Sequence, residues 1–409
     1  MADISVDFAG LKLKNPFIIA SSELTNKVEK IKIAEEHGAA AVSLKLTFLQ
    51  IPLYARPYHI IEKEGAFYSP SGERMRVDKT QKLIQECKEQ TDLKIIANMM
   101  GPGEDLEGWA KLARMLEEAG ADMLELNMSC PNLGLMAKQL GVDEEPELGA
   151  TIGKDPAMAG RVTKAVTDAV KIPVMPKMTP EANTMMVAKS VEKNGASAVS
   201  AINCPQSLPP LDIDHGGRPF YPSTGNQSFA GLCGPWIRPL AYRHIAQMRT
   251  VCPDLPLAGG GGLMNWRHSV EMMMYGATVL TYCSLLYLKG YKAFAKIEPG
   301  MRKFMDDNGY ATLADMRGIA LKYIVTPKEV DYIPMLPEFD LEKCNGCGIC
   351  AEPGHCECIE IVDKKAVLVE PRECYSCAVC YFLCPKDAIT MKKVPMEQTR
   401  AGAALEEDL

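Results

Sequence analysis

The sequence predicts an α/β chain, a (β/α)8 TIM barrel followed by a small α+β domain organised around cysteines. Three observations carry this reading. Four helical patterns end in Gly-Ala and run straight into an apolar strand, at Gly38, Gly120, Gly195 and Gly276, spaced 82, 75 and 81 residues apart. A second apolar strand belongs to each copy: PFIIAS from Pro16, KIIANM from Lys94, VMPKMT from Val174 and LPLAGG from Leu255. Of fifteen cysteines, nine fall between Cys344 and Cys384, so the composition changes abruptly near residue 335.

Each Gly-Ala marks a helix stop, because glycine just past a helix takes the left-handed cap conformation. Four copies of a double unit give eight strands alternating with helices. An open doubly wound sheet alternates in the same way, but no GxGxxG opens the first unit, and about 300 residues in eight units fit a closed barrel better. The expected division is a barrel over 1–315, a linker over 316–335 holding Pro327 and Pro334, a cysteine domain over 336–394 and an acidic tail over 395–409 that ends in LEEDL.

Composition narrows the function classes. With 409 residues, 47% hydrophobic and 24% charged, the chain has globular proportions, which excludes disordered and fibrous classes. A net charge of −7 argues against a nucleic-acid partner. No apolar stretch approaches the roughly 18 residues of a membrane span, and MADISVDFAG lacks the basic start of a signal peptide. The expectation is a soluble, cytoplasmic protein with no membrane partner.

In a barrel, functional side chains sit where strands end. Taken in order, those positions hold Ala20 and Ser21, Lys45, Asn98, the stretch Asn127 to Asn132, Lys177, Asn203, the run Gly259 to Gly262, and Cys283 with Ser284. Polar residues closing otherwise apolar strands suit a ligand-lined mouth. Two connections exceed what packing needs, from about Pro131 to Asp155 and from Cys204 to about Pro235, and both read as lids.

Cys374-x2-Cys377-x2-Cys380-x3-Cys384-Pro385 is a complete [4Fe–4S] ligand run. A zinc site would use two separated cysteine pairs instead. A second copy begins 30 residues earlier as Cys344-x2-Cys347-x2-Cys350, but Gly354 stands where its fourth cysteine belongs, and Cys356 and Cys358 follow. In two-cluster ferredoxins the fourth cysteine of each run ligates the other cluster. Cys384 should then complete the set of Cys344, Cys347 and Cys350. The set of Cys374, Cys377 and Cys380 takes Cys356 or Cys358, with Cys356 preferred, unless that cluster has only three protein ligands.

ELNMSCPN, Glu125 to Asn132, with NPFIIASS, VSLKLTF, MPKMTP, SAIN, IRPLA and LAGGGGL, resembles the flavin barrel of class 1 dihydroorotate dehydrogenases and dihydropyrimidine dehydrogenases. Its fusion to a two-cluster ferredoxin-like domain is similar to the iron–sulfur flavin subunit of bacterial dihydropyrimidine dehydrogenases. The resemblance covers nearly the whole chain and implies FMN at the barrel mouth. Ala20 and Ser21 would lie against the flavin ring. Lys45 and Lys177 would contact its polar edge and ribityl chain, with Asn98 and Asn127 beside them. Gly231, Gly234, Gly260, Gly261, Gly262, Cys283 and Ser284 would form the phosphate end of the site, since glycines let backbone N–H groups approach an anion.

The resemblance also makes Cys130 the acid/base that supplies the proton when hydride reaches a polarised C=C. Asn127, Ser129, Asn132 and Asn203 would hold substrate carbonyl and N–H groups, since an amide both donates and accepts. Cys358 falls where the family has a small residue opening the next strand, which is why Cys356 is preferred as ligand. Two positions depart from the pattern: Ser69 stands where the family has an asparagine, and Cys204 follows Asn203 where it has threonine or serine. The implied activity is reduction of the C=C bond of uracil or thymine, with two [4Fe–4S] clusters and an oligomeric assembly. Electrons would come from an FAD- and NAD(P)H-binding subunit or a ferredoxin-like donor, because this chain has no dinucleotide fingerprint. Reduction of another polarised alkene or heterocycle, dihydroorotate-type chemistry, and an electron-transfer subunit without a substrate remain open.

Overall fold

A computed structural model describes residues 2–50, 58–62, 64–129, 150–221, 225–227, 229–352 and 357–400. The chain divides into two compact units, Met1–Ile324 and Val325–Leu409.

The first unit is a closed eight-stranded parallel barrel. Its strands are β1 (Phe17–Ile19), β2 (Ala41–Ser43), β3 (Lys94–Met99), β4 (Met123–Asn127), β5 (Val174–Lys177), β6 (Val199–Ala201), β7 (Leu257–Gly260) and β8 (Val279–Tyr282). Each pairs in parallel with the next, and Leu280 of β8 faces Phe17 of β1 to close the ring. Strands buried on both faces read as continuous apolar runs rather than alternating ones, and β4 is buried at all five positions. The eight strands are those the Gly-Ala repeat and its companion runs predict.

One principal helix follows each strand: α1 (Val28–Glu36), α2 (Val77–Gln90), α3 (Leu106–Glu118), α4 (Pro156–Thr167), α5 (Thr184–Lys193), α6 (Arg238–Val251), α7 (Trp266–Met274) and α8 (Ile297–Asp307). α3 shows why they dock: Trp109, Leu112, Ala113 and Leu116 fall at helical spacing on one face, and all are buried. Four of the starts, those of α3, α4, α5 and α7, are fixed by side-chain caps. Asp155 accepts the Ala157 and Met158 N–H groups ahead of α4, with Pro156 at the first helical position. The stops are the four repeat glycines, all at positive φ between 91° and 116°. After α1 the Ala39 N–H reaches back to the Ala34 carbonyl at 3.0 Å, the wrapped termination that such a glycine permits.

A second, antiparallel sheet belongs to the same unit and lies in none of the βα repeats. It orders Gln206–Ser207, Ala230–Cys233, Phe67–Ser71 and Tyr58–Ile61, with Ser69 opposite Gly231. The long connection after β6, expected as a lid, supplies two of these strands and a small hairpin, Leu211–Asp212 with Arg218–Pro219. The connection expected from Pro131 to Asp155 lies mostly outside the described residues. No described helix is long and apolar enough to cross a membrane.

The second unit is small and mixed α/β. Met335–Phe339 pairs antiparallel with Ile389–Lys393, and Ile359–Val362 pairs with Lys365–Leu368 through a two-residue turn in which Asp363 and Lys364 both have positive φ. Its buried cluster comprises Leu336, Cys358, Ile359, Ala366 and Cys374, with Cys344, Cys350 and Cys380 packed against it. A core this small, with cysteines among so few apolar groups, calls for a staple beyond hydrophobic burial.

Candidate active site

The strand ends of the barrel and the antiparallel sheet together line one pocket. Thirteen of the residues singled out from sequence reach it: Ala20, Ser21, Lys45, Ser69, Asn127, Lys177, Asn203, Cys204, Gly231, Gly261, Gly262, Cys283 and Ser284. Ser69 arrives from the antiparallel sheet, carried there by its pairing with Gly231. Asn98, Ser129, Gly234 and Gly260 lie behind this wall. Cys130 and Asn132 fall outside the described residues.

A polar chain crosses the barrel behind the pocket. The Asn203 amide donates to the Ser129 carbonyl at 3.1 Å and to its hydroxyl at 2.9 Å. Ser129 Oγ in turn donates to Asn127 Oδ1 at 3.1 Å, and Asn127 Nδ2 donates to Asn98 Oδ1 at 3.4 Å. Asn98 Nδ2 donates to Glu125, which also accepts from Ser43 Oγ at 2.7 Å and faces Lys177 Nζ at 3.8 Å. The carboxylate of Glu125, 1% exposed, needs these donors because an unpaired buried charge is costly. That requirement turns Asn98 away from the pocket, where the sequence suggested a cofactor contact.

The network fixes the amide orientations. Asn203 spends its N–H groups on Ser129 and takes the Cys204 N–H on Oδ1 at 2.9 Å, so only acceptor capacity remains on Oδ1. Asn127 accepts from Ser129 on Oδ1 and retains one N–H on Nδ2. Lys45 and Lys177, both buried, come from the ends of β2 and β5.

A second cluster, missed in the sequence, holds Lys45. Glu23 opens the 3-10 turn Glu23–Thr25 after β1, held by a reciprocal cap between Ser22 and Thr25. Its Oε1 accepts from Lys45 Nζ at 3.0 Å and from the Glu73 N–H at 3.0 Å. Its Oε2 accepts from Tyr287 at 3.1 Å and lies 3.5 Å from His59 Nε2. Burial opposes ionisation of Glu23, but the donors from His59 and Lys45 outweigh it and hold the carboxyl far below the usual carboxylate range. Burial, with Glu23 nearby, pushes the Cys283 thiol up to about 11, so it stays protonated at neutral pH.

The glycine end of the pocket is a cradle of bare backbone. At Gly262, with φ +72°, an added Cβ would stand 2.5 Å from the Gly234 carbonyl, so no larger residue fits. Gly234 donates its N–H to Ser284 Oγ at 3.1 Å, just before α6 begins. Bare backbone, a hydroxyl and a helix start suit a phosphate, and the two lysines suit the polar edge of a flavin. The donor set therefore fits FMN.

Cys204, expected against the substrate, lines the pocket and is disulfide-bonded to Cys233, with Cα atoms 5.6 Å apart. The bond ties the β6 connection to the antiparallel sheet, and nothing in the spacing of the two cysteines signalled it.

In the second unit, Cys344, Cys347, Cys350 and Cys384 line one cavity. The Ala366 N–H points at Cys344 Sγ at 3.5 Å and the Ala388 N–H at Cys384 Sγ at 3.3 Å. The Ala366 bond, joined by one from the Gly346 backbone, lowers the Cys344 thiol below its ordinary range. Four cysteines on one cavity are the ligand set an iron–sulfur cluster takes, though among the described residues no three metal-binding side chains are drawn together closely enough to hold an ion. Cys374 and Cys358 are buried in the adjoining cluster, and Cys356 falls outside the described residues.

Comparison with known proteins places this geometry. Residues 3–305 match the family described as Dihydroorotate dehydrogenase. The NAD-dependent dihydropyrimidine dehydrogenase subunit PreA of Escherichia coli is 31% identical over 85% of this chain and 84% of its own length. The catalytic subunit of dihydroorotate dehydrogenase B (NAD(+)) of Pyrococcus horikoshii is 31% identical over 78% of this chain and 98% of its own. The subunit of that name from Methanosarcina mazei is 33% identical over 76% and 93%.

Proposed function

The chain belongs to the dihydroorotate dehydrogenase family, and from that premise we propose that it reduces the C=C bond of a pyrimidine, uracil or thymine, at FMN held in the barrel mouth. Two [4Fe–4S] clusters held by the cysteines of the second unit would relay electrons to the flavin from a separate FAD- and NAD(P)H-binding subunit or a ferredoxin-like donor. The observation that carries the substrate reading is the fixed pair of amides. Asn203 offers a carbonyl oxygen and Asn127 an N–H, the complement of a ring edge that presents an N–H beside a C=O.

Bound FMN would supply hydride to one carbon of the polarised double bond. The protein's own part is to hold and protonate. Asn127 and Asn203 orient the ring, Ser129 locks both amides, and Lys45 and Lys177 meet the flavin's polar edge and ribityl chain. Cys130 would deliver the proton to the neighbouring carbon, and the antiparallel sheet that helps line the pocket would exclude water. In the second unit Cys344, Cys347, Cys350 and Cys384 would hold one cluster. Cys374, Cys377 and Cys380 with Cys356 would hold the other.

Dihydroorotate chemistry is the second reading, favoured by the relatives named for it. An anaerobic titration tests the proposed electron route. NADH alone should leave the flavin of the isolated chain oxidised, whereas reduced viologen or ferredoxin should bleach it. Rapid bleaching by NADH without a second protein would show a nicotinamide site in this chain and refute the two-subunit arrangement.

A further inference from the structure

Both lysines of the pocket are matched by a carboxylate, Lys45 by the partly buried Glu23 at 3.0 Å and Lys177 by the buried Glu125 at 3.8 Å. The two matches differ in kind. Glu125 sits inside the barrel behind the wall, while Glu23 is part of the wall itself. A carboxylate has about four acceptor sites, and on Glu23 they are met by Lys45, the Glu73 N–H, the Tyr287 hydroxyl and the adjacent His59 ring. Gly72 closes over the pair: an added Cβ there would come 2.8 Å from Glu23 Oε1 and 2.9 Å from Lys45 Nζ. The third cation of the pocket, Arg74, commits Nη1 to the carbonyls of Gly72 and Glu73.

Stability alone is a poor reason for this arrangement, since burying an ion pair costs about as much desolvation as it returns in attraction. A charge fixed by convergent donors in a pocket wall is better explained by what enters the pocket. We propose that Glu23 is a specificity-determining residue: by neutralising Lys45 and presenting its own negative charge, it makes the site select an uncharged cyclic amide and reject the same ring bearing a carboxylate. A ring carboxylate would find Lys45 already paired and would face Glu23. A neutral ring meets the donor of Asn127 and the acceptor of Asn203 and brings no charge for Glu23 to repel.

The inference rests on the pyrimidine reading and sharpens it. Its test is calorimetric binding to the intact flavin-loaded protein, without turnover, using uracil as the neutral ring and orotate as the carboxylate-bearing one. Wild-type protein should bind uracil roughly 10²-fold more tightly than orotate, the scale of a like-charge mismatch in a partly buried site. Glu23→Gln should reduce that ratio by about 10-fold or more through a gain in orotate affinity. Tyr287→Phe, which removes one donor but keeps the charge, should leave the ratio within about 3-fold. Equal binding of both ligands by wild type, or an unchanged ratio in Glu23→Gln, overturns the proposal. Should the variant lose flavin, equal binding of both rings by wild type still overturns the proposal. Binding of neither ring would instead overturn the pyrimidine reading on which the proposal rests.

Discussion

Replacing Glu125 with alanine should be among the most damaging single changes in the barrel, and the structure gives the size of the effect. Glu125 accepts from Ser43 and Asn98 and faces the Lys177 ammonium, itself only 9% exposed. Alanine would leave that ammonium beside an emptied site and strand two donors. Breaking one partner of a buried pair costs about 3–5 kcal/mol, and the stranded donors overlap with that figure rather than adding to it. For the 324-residue unit, an unfolding entropy of about 2.1 cal/mol/K per residue turns 4 kcal/mol into a melting shift of about 6 °C. Glu125→Gln keeps an acceptor and should fall by about a third as much. Differential scanning calorimetry reads both variants. A melting point for Glu125→Ala within about 1 °C of wild type would refute the idea that this carboxylate anchors Lys177 and the asparagine chain.

Other expectations follow from the same geometry. The anaerobically purified chain should contain about eight iron atoms and one FMN, and a metal assay showing zinc, or extraction yielding FAD, would contradict the cofactor assignment. Cys130→Ser should retain reducible flavin but slow substrate reduction by about 10²-fold, the scale of lost general-acid catalysis, and unchanged turnover would remove Cys130 from the mechanism. Buried His244 should make the barrel acid-sensitive. Its Nε2 accepts from Arg243 at 2.8 Å, which requires a neutral ring, and burial with the nearby Arg243 charge depresses its pKa from 6.5 to about 4. The unfolded chain takes up that proton first, so stability is full above about pH 6.5 and falls towards pH 4 by about 3 kcal/mol. His244→Gln should flatten that part of the stability–pH curve, and a slope equal to wild type would exclude His244 as its source.

What was legible in the sequence was local. The repeat glycines state where helices stop, continuous apolar runs state where buried parallel strands lie, and the barrel rule then points to strand ends. Lys45, Asn127, Lys177 and Asn203 follow from that chain of reasoning without any tertiary information. Glu23, His59 and Tyr287 do not, because they meet only after three separate loops converge on the mouth. The pairing of Ser69 with Gly231 joins residues far apart in the chain through strands too short to leave a periodic signal. Asn98 was legible as a polar strand end but not in its partner. Only the structure shows that Glu125, one strand over, claims its amide. The cysteine runs were plain in their spacing, and the two-cluster rule already put Cys384 with the first run, beside which it lines one cavity in the folded domain.

The central claim is that reduced flavin in this barrel gives its electrons to the C=C bond of a neutral pyrimidine. Rapid anaerobic mixing tests it most directly: the protein, reduced beforehand with viologen, is combined with uracil or thymine while the flavin absorbance is followed and the product is identified. The flavin should reoxidise, with up to two dihydropyrimidines formed per flavin, one from its own electron pair and one from the pair held on the two reduced clusters. A flavin that stays reduced under saturating uracil and thymine would contradict the account.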